Sequence, residues 1–408
     1  MAEPAETDTL VRRRGGWART VPTAEGHRVT TFELFFDLVY VFAVTRITGY
    51  MAHEHSAHGV VQGMLLLALL WWTWSAYTWL GNQARADEGL LRAGMGTAMA
   101  AIFVVALTVP EAWHDMDGGL DGPVVLVCAY LVVRALHLVV YSAAATAVKD
   151  TGLRRQVMVA WPPLLVSAAL LVSGALVGGT AQTLLFAGAL AVDWGIVYLT
   201  SRRGNWRVHS ASHWSERYGL FMILAIGESI AAIGVGAAQH PISGQLIVGA
   251  AVGIAIAIGL WWLYFDILAL EAEHRLARVR GRSRARLALV AYSYGHYVIV
   301  AGIVLTALGV EGVLEHAEDG KGLGGFYATA LCGGAALYLA GLLLFKGLTG
   351  IGLSLPRLAA AVLLLALIPA LAVLPPLAGL AGVAVVLAGL TVVEGAHYAD
   401  VRRELRGA

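Results

Sequence analysis

The stretch Thr30-Thr31-Phe32-Glu33-Leu34-Phe35-Phe36-Asp37-Leu38-Val39-Tyr40-Val41-Phe42-Ala43-Val44 decides the class of this chain. It opens an apolar run long enough to enter a membrane, yet it carries two carboxylates four residues apart. Residues at i and i+4 share a helix face, so Glu33 and Asp37 point the same way. Carboxylates inside a membrane segment are costly, so the pair is either expensive decoration or a site.

The rest of the chain has the same character. Of 408 residues, 58% are hydrophobic and 13% charged, against roughly 25% charged in soluble domains. With a mean hydropathy of +0.71, apolar surface exceeds what a soluble core of this size buries. The expected fold class is therefore all-α, a polytopic membrane helical bundle. Runs of about 20 residues, which cross roughly 30 Å of hydrocarbon, fall near 31–51, 60–80, 93–110, 123–146, 156–177, 181–201, 216–238, 244–270, 286–310, 324–346, 357–374 and 377–399. That is about twelve transmembrane helices. The eleventh, bounded by Pro356 and Pro375-Pro376, is the shortest.

Charge placement agrees with an even count. The N-terminal tail, the connections after helices 2, 4, 6, 8 and 10 with their flanking turns, and the C-terminal tail hold all but three of the 28 Lys and Arg. Among them are Lys149, Arg154, Arg155, Arg202, Arg203, Arg207 and the run Arg275 to Arg286. The exceptions are Lys321 in an opposite loop and Arg46 and Arg134 within spans, while the opposite loops carry Glu111, Asp115, Asp117, Asp121, Glu311, Glu315, Glu318 and Asp319. Positive residues stay inside, so both termini are expected in the cytoplasm of a bacterial inner membrane. No removable signal peptide is expected, leaving the first span to direct insertion.

The two halves resemble each other. Trp71-Trp72-Thr73-Trp74 in helix 2 answers Trp261-Trp262-Leu263-Tyr264 in helix 8, and Asp193 to Arg203 in helix 6 answers Glu394 to Arg403 in helix 12. Ser215-Glu216 opens helix 7 where Glu33 opens helix 1. Three matches in one order imply a 6+6 duplication, and six being even, a parallel repeat. The expected organisation is a cytoplasmic basic tail at 1–29 containing Arg12-Arg13-Arg14 and Arg19, a membrane half at 30–203, a second at 204–401, and a short cytoplasmic tail at 402–408.

Phe32-Glu33-Leu34-Phe35-Phe36-Asp37-Leu38-Val39-Tyr40, joined to Glu216-Arg217-Tyr218-Gly219-Leu220-Phe221 and Gly227-Glu228-Ser229, resembles the bacterial low temperature requirement protein A (LtrA) family over about residues 30 to 400. The resemblance implies a multi-pass bacterial inner-membrane protein, and the matching positions are Glu33, Phe36, Asp37, Glu216, Gly227 and Glu228. The family is named for a cold-growth phenotype, which implies no particular reaction. A fainter likeness to potassium channels of two six-helix repeats rests on Arg28 and Phe35-Phe36-Asp37, where Phe36 replaces the channels' Ser. It is an analogy of fold level only.

Within or beside the spans lie Glu33, Asp37, Asp193, Glu216, Glu228, Asp266 and Glu394, set against Arg46 and Arg134. Such an excess predicts protonated carboxyls, bound cations or a wet cavity. Thr30 with Glu33 fits a capping box, and Glu216 after Ser215 fits a similar helix start. Capping does not reach Asp37, a turn deeper, or Glu228, deep in helix 7. Arg134, His137 and Tyr141 share one face of helix 4, with Arg134 the expected counter-ion of Asp37 or Glu228. Asp193 and Glu394 have Arg202 and Arg402 two turns on as structural partners. Asp266 reads as interfacial or functional, and His296 as a satisfied core histidine or a proton relay.

Cys128 and Cys332 have no metal-ligand spacing, and the outer His53, His55 and His58 read as loop residues. No catalytic constellation, metal site or cofactor motif stands out, and nothing points to nucleic acid. The expected partners are the lipid bilayer and a small solute or a cation or proton, with a homo-oligomer left open. Three functions remain open: a transporter or ion-conducting protein with an acidic site between helices 1 and 7, a membrane-embedded enzyme or assembly factor acting on lipids, and a structural or sensory membrane protein. The state of Asp37 and Glu228, in a shared hydrated cavity or neutralised by Arg134, separates them.

Overall fold

The computed structural model describes residues 28–84, 86, 89–147, 151–201, 206–238, 240–318 and 320–397. The basic tail at 1–27, Lys149, Arg202, Arg203, Asp319 and the segment from Tyr398 through Arg402 and Arg403 lie outside the described residues. Within them the chain is helical, with no strand. Twelve helices are long and apolar enough to span a membrane: α1 (Thr31–Glu54), α2 (Ala57–Gln83), α3 (Gly89–Glu111), α4 (Gly122–Thr146), α5 (Thr151–Val177), α6 (Gly179–Ser201), α7 (Ala211–Ala237), α8 (Gly244–Arg278), α9 (Gly281–Glu315), α10 (Gly325–Thr349), α11 (Leu355–Val373) and α12 (Pro376–His397). Lipid offers no hydrogen bonds to an open backbone, so each span closes its own.

Helix starts follow the local chemistry. Thr30 caps α1 with the reciprocal box read from sequence: its hydroxyl accepts from the Glu33 amide at 3.3 Å, and Glu33 Oε2 accepts from the Thr30 amide at 2.9 Å. Ser56, Ser243 and Ser354 cap α2, α8 and α11. The start of α7 differs from the expectation. Ser210 is its cap, accepting from the His213 amide at 3.1 Å, so Glu216 lies more than a turn inside and caps nothing. Ser210 supplies a side-chain acceptor earlier than Ser215 does, and the helix extends back to it.

Three spans are interrupted. Pro162-Pro163 separates α5 into Thr151–Val159 and Trp161–Val177, as expected where an imide ring cannot follow a helical turn. In α8 the helix ends at Phe265 and restarts at Leu268, with Asp266 at the break. In α9 a π-helical segment, Ala288–Tyr294, joins Gly281–Leu287 to Gly295–Glu315.

The neighbour scheme repeats. In the first six helices α1 packs on α2 and α3, α2 on α4 and α6, and α3–α4, α4–α5 and α5–α6 are neighbours. The same relations hold for α7 with α8 and α9, α8 with α10 and α12, and the pairs α9–α10, α10–α11 and α11–α12. The six-plus-six duplication predicts this pattern of neighbours. The two sets meet where α1 and α2 touch α7 and α9. Here α9 is central, 83% of its span window buried, and α6 peripheral at 22%.

Small residues set the closest approach. A Cβ on Gly302 of α9 would stand 2.3 Å from the Tyr338 backbone nitrogen on α10, so only glycine fits. Cys332 is buried in this core, whereas Cys128 faces outward and is not a core residue.

Candidate functional site

The opening acidic pair sits against α7. Arg217 grips Asp37 with both guanidinium nitrogens, Nη1 to Oδ2 at 2.9 Å and Nη2 to Oδ1 at 2.8 Å. Trp74 Nε1 donates to Asp37 Oδ1 at 2.7 Å, and its ring lies 5.7 Å from the guanidinium carbon. Asp37 and Arg217 are wholly buried. One turn nearer the helix start, Glu33 Oε1 meets His213 Nε2 at 3.1 Å and Arg217 Nε at 3.9 Å. Asn82 Nδ2 stands 3.3 Å from His213 Nδ1. An amide nitrogen can only donate, so Nδ1 accepts and Nε2 carries the proton that Glu33 receives. His213 and Arg217, four apart on α7, thus answer Glu33 and Asp37, four apart on α1.

The counter-ion expected of Arg134 is overturned. Its Nη2 pairs with Asp193 Oδ1 at 3.1 Å, and Ser167 donates to Asp193 Oδ2 at 3.2 Å. Glu394 is likewise held by Arg357, Nε to Oε1 and Nη2 to Oε2 at 2.7 Å each, with Ser354 at 3.0 Å. Arg202 and Arg402 lie outside the described residues, and the partners found come from neighbouring helices instead. Three buried carboxylate–arginine pairs therefore stitch α1 to α7, α4 to α6 and α11 to α12. The apparent shortage of cations arose because Arg217 and Arg357, near span ends, were counted with the connections and not with the spans. Both are buried in protein.

Glu228 remains distinct. It is 1% exposed, and its Oε2 is hydrogen-bonded to Thr45 Oγ1 of α1. Among the described residues no cation stands within ion-pair distance of it. Thr48 of α1 and Glu311 of α9 are its other polar neighbours. Thr45 lies eight residues beyond Asp37, about 12 Å along the helix axis. Asp37 and Glu228 therefore share the α1–α7 interface but occupy separate levels, one dry and paired, the other without a cation.

The other candidates separate in space. Glu216 accepts from the Val29 amide at 3.1 Å and lines a vestibule of about 550 Å³ with Arg28, Glu273 and Tyr292. Asp266 lines a cavity of about 220 Å³ at the break in α8, facing Glu271, Lys346, Arg357 and Glu394. His296 is bonded on both ring nitrogens, to Tyr264 at 2.8 Å and the Ala291 carbonyl at 3.2 Å, as a core histidine. His137 lines a further cavity with Arg134. His55 stacks on Phe326 at 4.2 Å, while His53 and His58 are exposed.

Arg217, His213, Trp74 and Thr45 went unread as site residues. The signal for two of them was present: His213 and Arg217 repeat the four-residue spacing of the acids they face.

The family model described as bacterial low temperature requirement A protein (LtrA) matches residues 28–392. A protein of Rhizobium meliloti (strain 1021), described as uncharacterized, is 29% identical over 330 residues, covering 77% of this chain and 76% of its own. No solved structure matches the chain.

Proposed function

This chain belongs to the bacterial low temperature requirement A (LtrA) family, and we propose that it is a transporter or ion-conducting protein of the inner membrane, with both termini cytoplasmic and Glu228 as its proton- or cation-accepting group. The observation that carries this reading is a buried carboxyl at the α1–α7 interface with no cation within ion-pair distance among the described residues. An uncompensated carboxylate costs several kcal/mol in such surroundings, so the group must hold a proton or a cation. Thr45 is suited to both protonation states. Its hydroxyl has one proton and two acceptors in reach, Glu228 and the Val41 carbonyl at 3.2 Å. Donating to Glu228 it serves the charged form; turned to Val41 it accepts from the protonated one. The parallel course of α1 and α7 and the arginine-rich end at which both begin support the proposed orientation.

A structural reading accounts for the three ion pairs but leaves Glu228 without a role. Asp37, bound by Arg217 and Trp74, belongs to the scaffold. Proteoliposomes loaded with a pH dye test the division of labour. Glu228→Gln is expected to abolish proton- or cation-linked flux while leaving the folded yield near wild type. Wild-type flux in Glu228→Gln would sink the proposal.

A further inference from the structure

At the end of the bundle that carries the arginine-rich connections, a cavity of about 90 Å³ opens between α2, α4, α5, α6 and α9, with Val157 and Ala160 from α5. Roughly 10–15 Å³ of such space holds one water, so the cavity admits several waters or a comparable portion of a ligand. Its walls are apolar and aromatic, including Trp72, Trp79, Leu138 and Leu289. None of its lining residues is an Asp or Glu.

Ser75 and Trp79 in its wall are hydrogen-bonded to Ser293, but four other side chains that line it each leave a polar atom unpaired. Arg134 and His137, each 7% exposed, leave Nε and Nε2 without a hydrogen bond among the described residues, and so do Trp206 Nε1 and Ser201 Oγ. Buried polar atoms are nearly always paired, so several orphans around one cavity point to an occupant. Order along the cavity adds to this. Arg282 and Arg286 are exposed at the start of α9 and form the mouth. Ser201, ending α6, and Trp206, just after it, lie near that level. His137 and then Arg134 stand successively deeper on α4.

We propose that this cavity binds an anionic glycerophospholipid from the adjoining leaflet. Arg282 and Arg286 meet the phosphate, Trp206 Nε1 and Ser201 Oγ meet ester carbonyl oxygens, and the first methylenes of one acyl chain lie along Trp72, Trp79 and Leu289. Phosphate and then ester carbonyl is the order of groups at the polar end of a phospholipid, and it matches Arg282 and Arg286 at the mouth with Ser201 and Trp206 next to them; His137 and Arg134 stand deeper, beyond that match. Basic pockets between membrane helices are suited to anionic headgroups. The site is separate from Glu228 and does not depend on its role.

The test uses the purified, delipidated full chain in detergent, titrated with chain-brominated phosphatidylglycerol or phosphatidylcholine. The readouts are quenching of tryptophan fluorescence and lipid retained in native mass spectrometry. Phosphatidylglycerol is expected to quench saturably and to be retained, and phosphatidylcholine is not. The double variant Arg282→Gln/Arg286→Gln is expected to weaken binding at least about tenfold, and Ala76→Phe, filling the cavity with its charges intact, to abolish it. Arg154→Gln/Arg155→Gln, on exposed residues of α5 outside the cavity lining, is expected to bind as wild type. Equal quenching by both lipids would overturn the proposal, as would equal weakening by the α5 variant or displacement by inorganic phosphate or oleate as effective as by unbrominated phosphatidylglycerol. Circular dichroism on each variant separates lost binding from lost folding.

Discussion

Asp37 and Glu228 are both buried carboxyls on the same helix interface, and their neighbours give them opposite roles. Asp37 accepts three hydrogen bonds, two from Arg217 and one from Trp74. Breaking such a pair leaves a charge buried alone, which costs about 3–5 kcal/mol, whereas replacing both members with apolar groups is often close to neutral. Asp37→Leu and Arg217→Met are each expected to lower the unfolding midpoint sharply in a thermal scan in detergent. The double variant should recover much of the loss. Equal destabilisation by single and double variants would show that the pair is not the stabilising unit. At the other end of the scale, Thr30→Ala removes the cap of α1 and should cost only about 1 kcal/mol.

The elements owe their contacts to small residues and their interruptions to local chemistry. On α9, Gly302 approaches α10 so closely that a Cβ would lie 2.3 Å from a backbone nitrogen, and Gly334 of α10 stands in the reciprocal position against Thr306 at 2.4 Å. Backbone atoms cannot rotate out of the way as a side chain can. Gly302→Leu is therefore expected to abolish recovery of monodisperse protein in size-exclusion chromatography, while Gly347→Leu, on the same α10 with open space around its Cβ position, should leave it intact. The break in α8 places Asp266 at a cavity rather than within a regular turn, and non-helical backbone at such depth persists only where it is covered by protein or lines a polar space.

At the scale of the whole molecule, the arginine-rich connections and the paired Asn82, Gln83, Ser210 and His213 gather at one end. Positive-inside placement predicts that this end is cytoplasmic. In a background lacking Cys128 and Cys332, Ser283→Cys in the α8–α9 region is expected to react with an impermeant maleimide only after the membrane is opened. Lys321→Cys, in the opposite α9–α10 connection, should react in intact cells. Both residues are exposed. The reverse pattern would invert the topology and remove the cytoplasmic placement of the termini.

The number, length and polarity of the spans were legible in the chain itself, because each depends on composition within about 20 residues. The capping box at Thr30 and Glu33 was legible for the same reason, since both partners lie within one turn. Partnerships between buried charges were not. Asp37 and Arg217 are 180 residues apart, and Arg134 turned toward Asp193 because α4 packs beside α6 through the intervening α2 and α5 rather than against α7. Linear order supplies no rule for such choices. The sequence by itself determined a membrane bundle with acids in its first and seventh spans. Only the packing of those spans decided that Asp37 is neutralised and that Glu228 has no cation beside it among the described residues, because a buried charge is compensated by whatever the tertiary fold brings within a few ångströms.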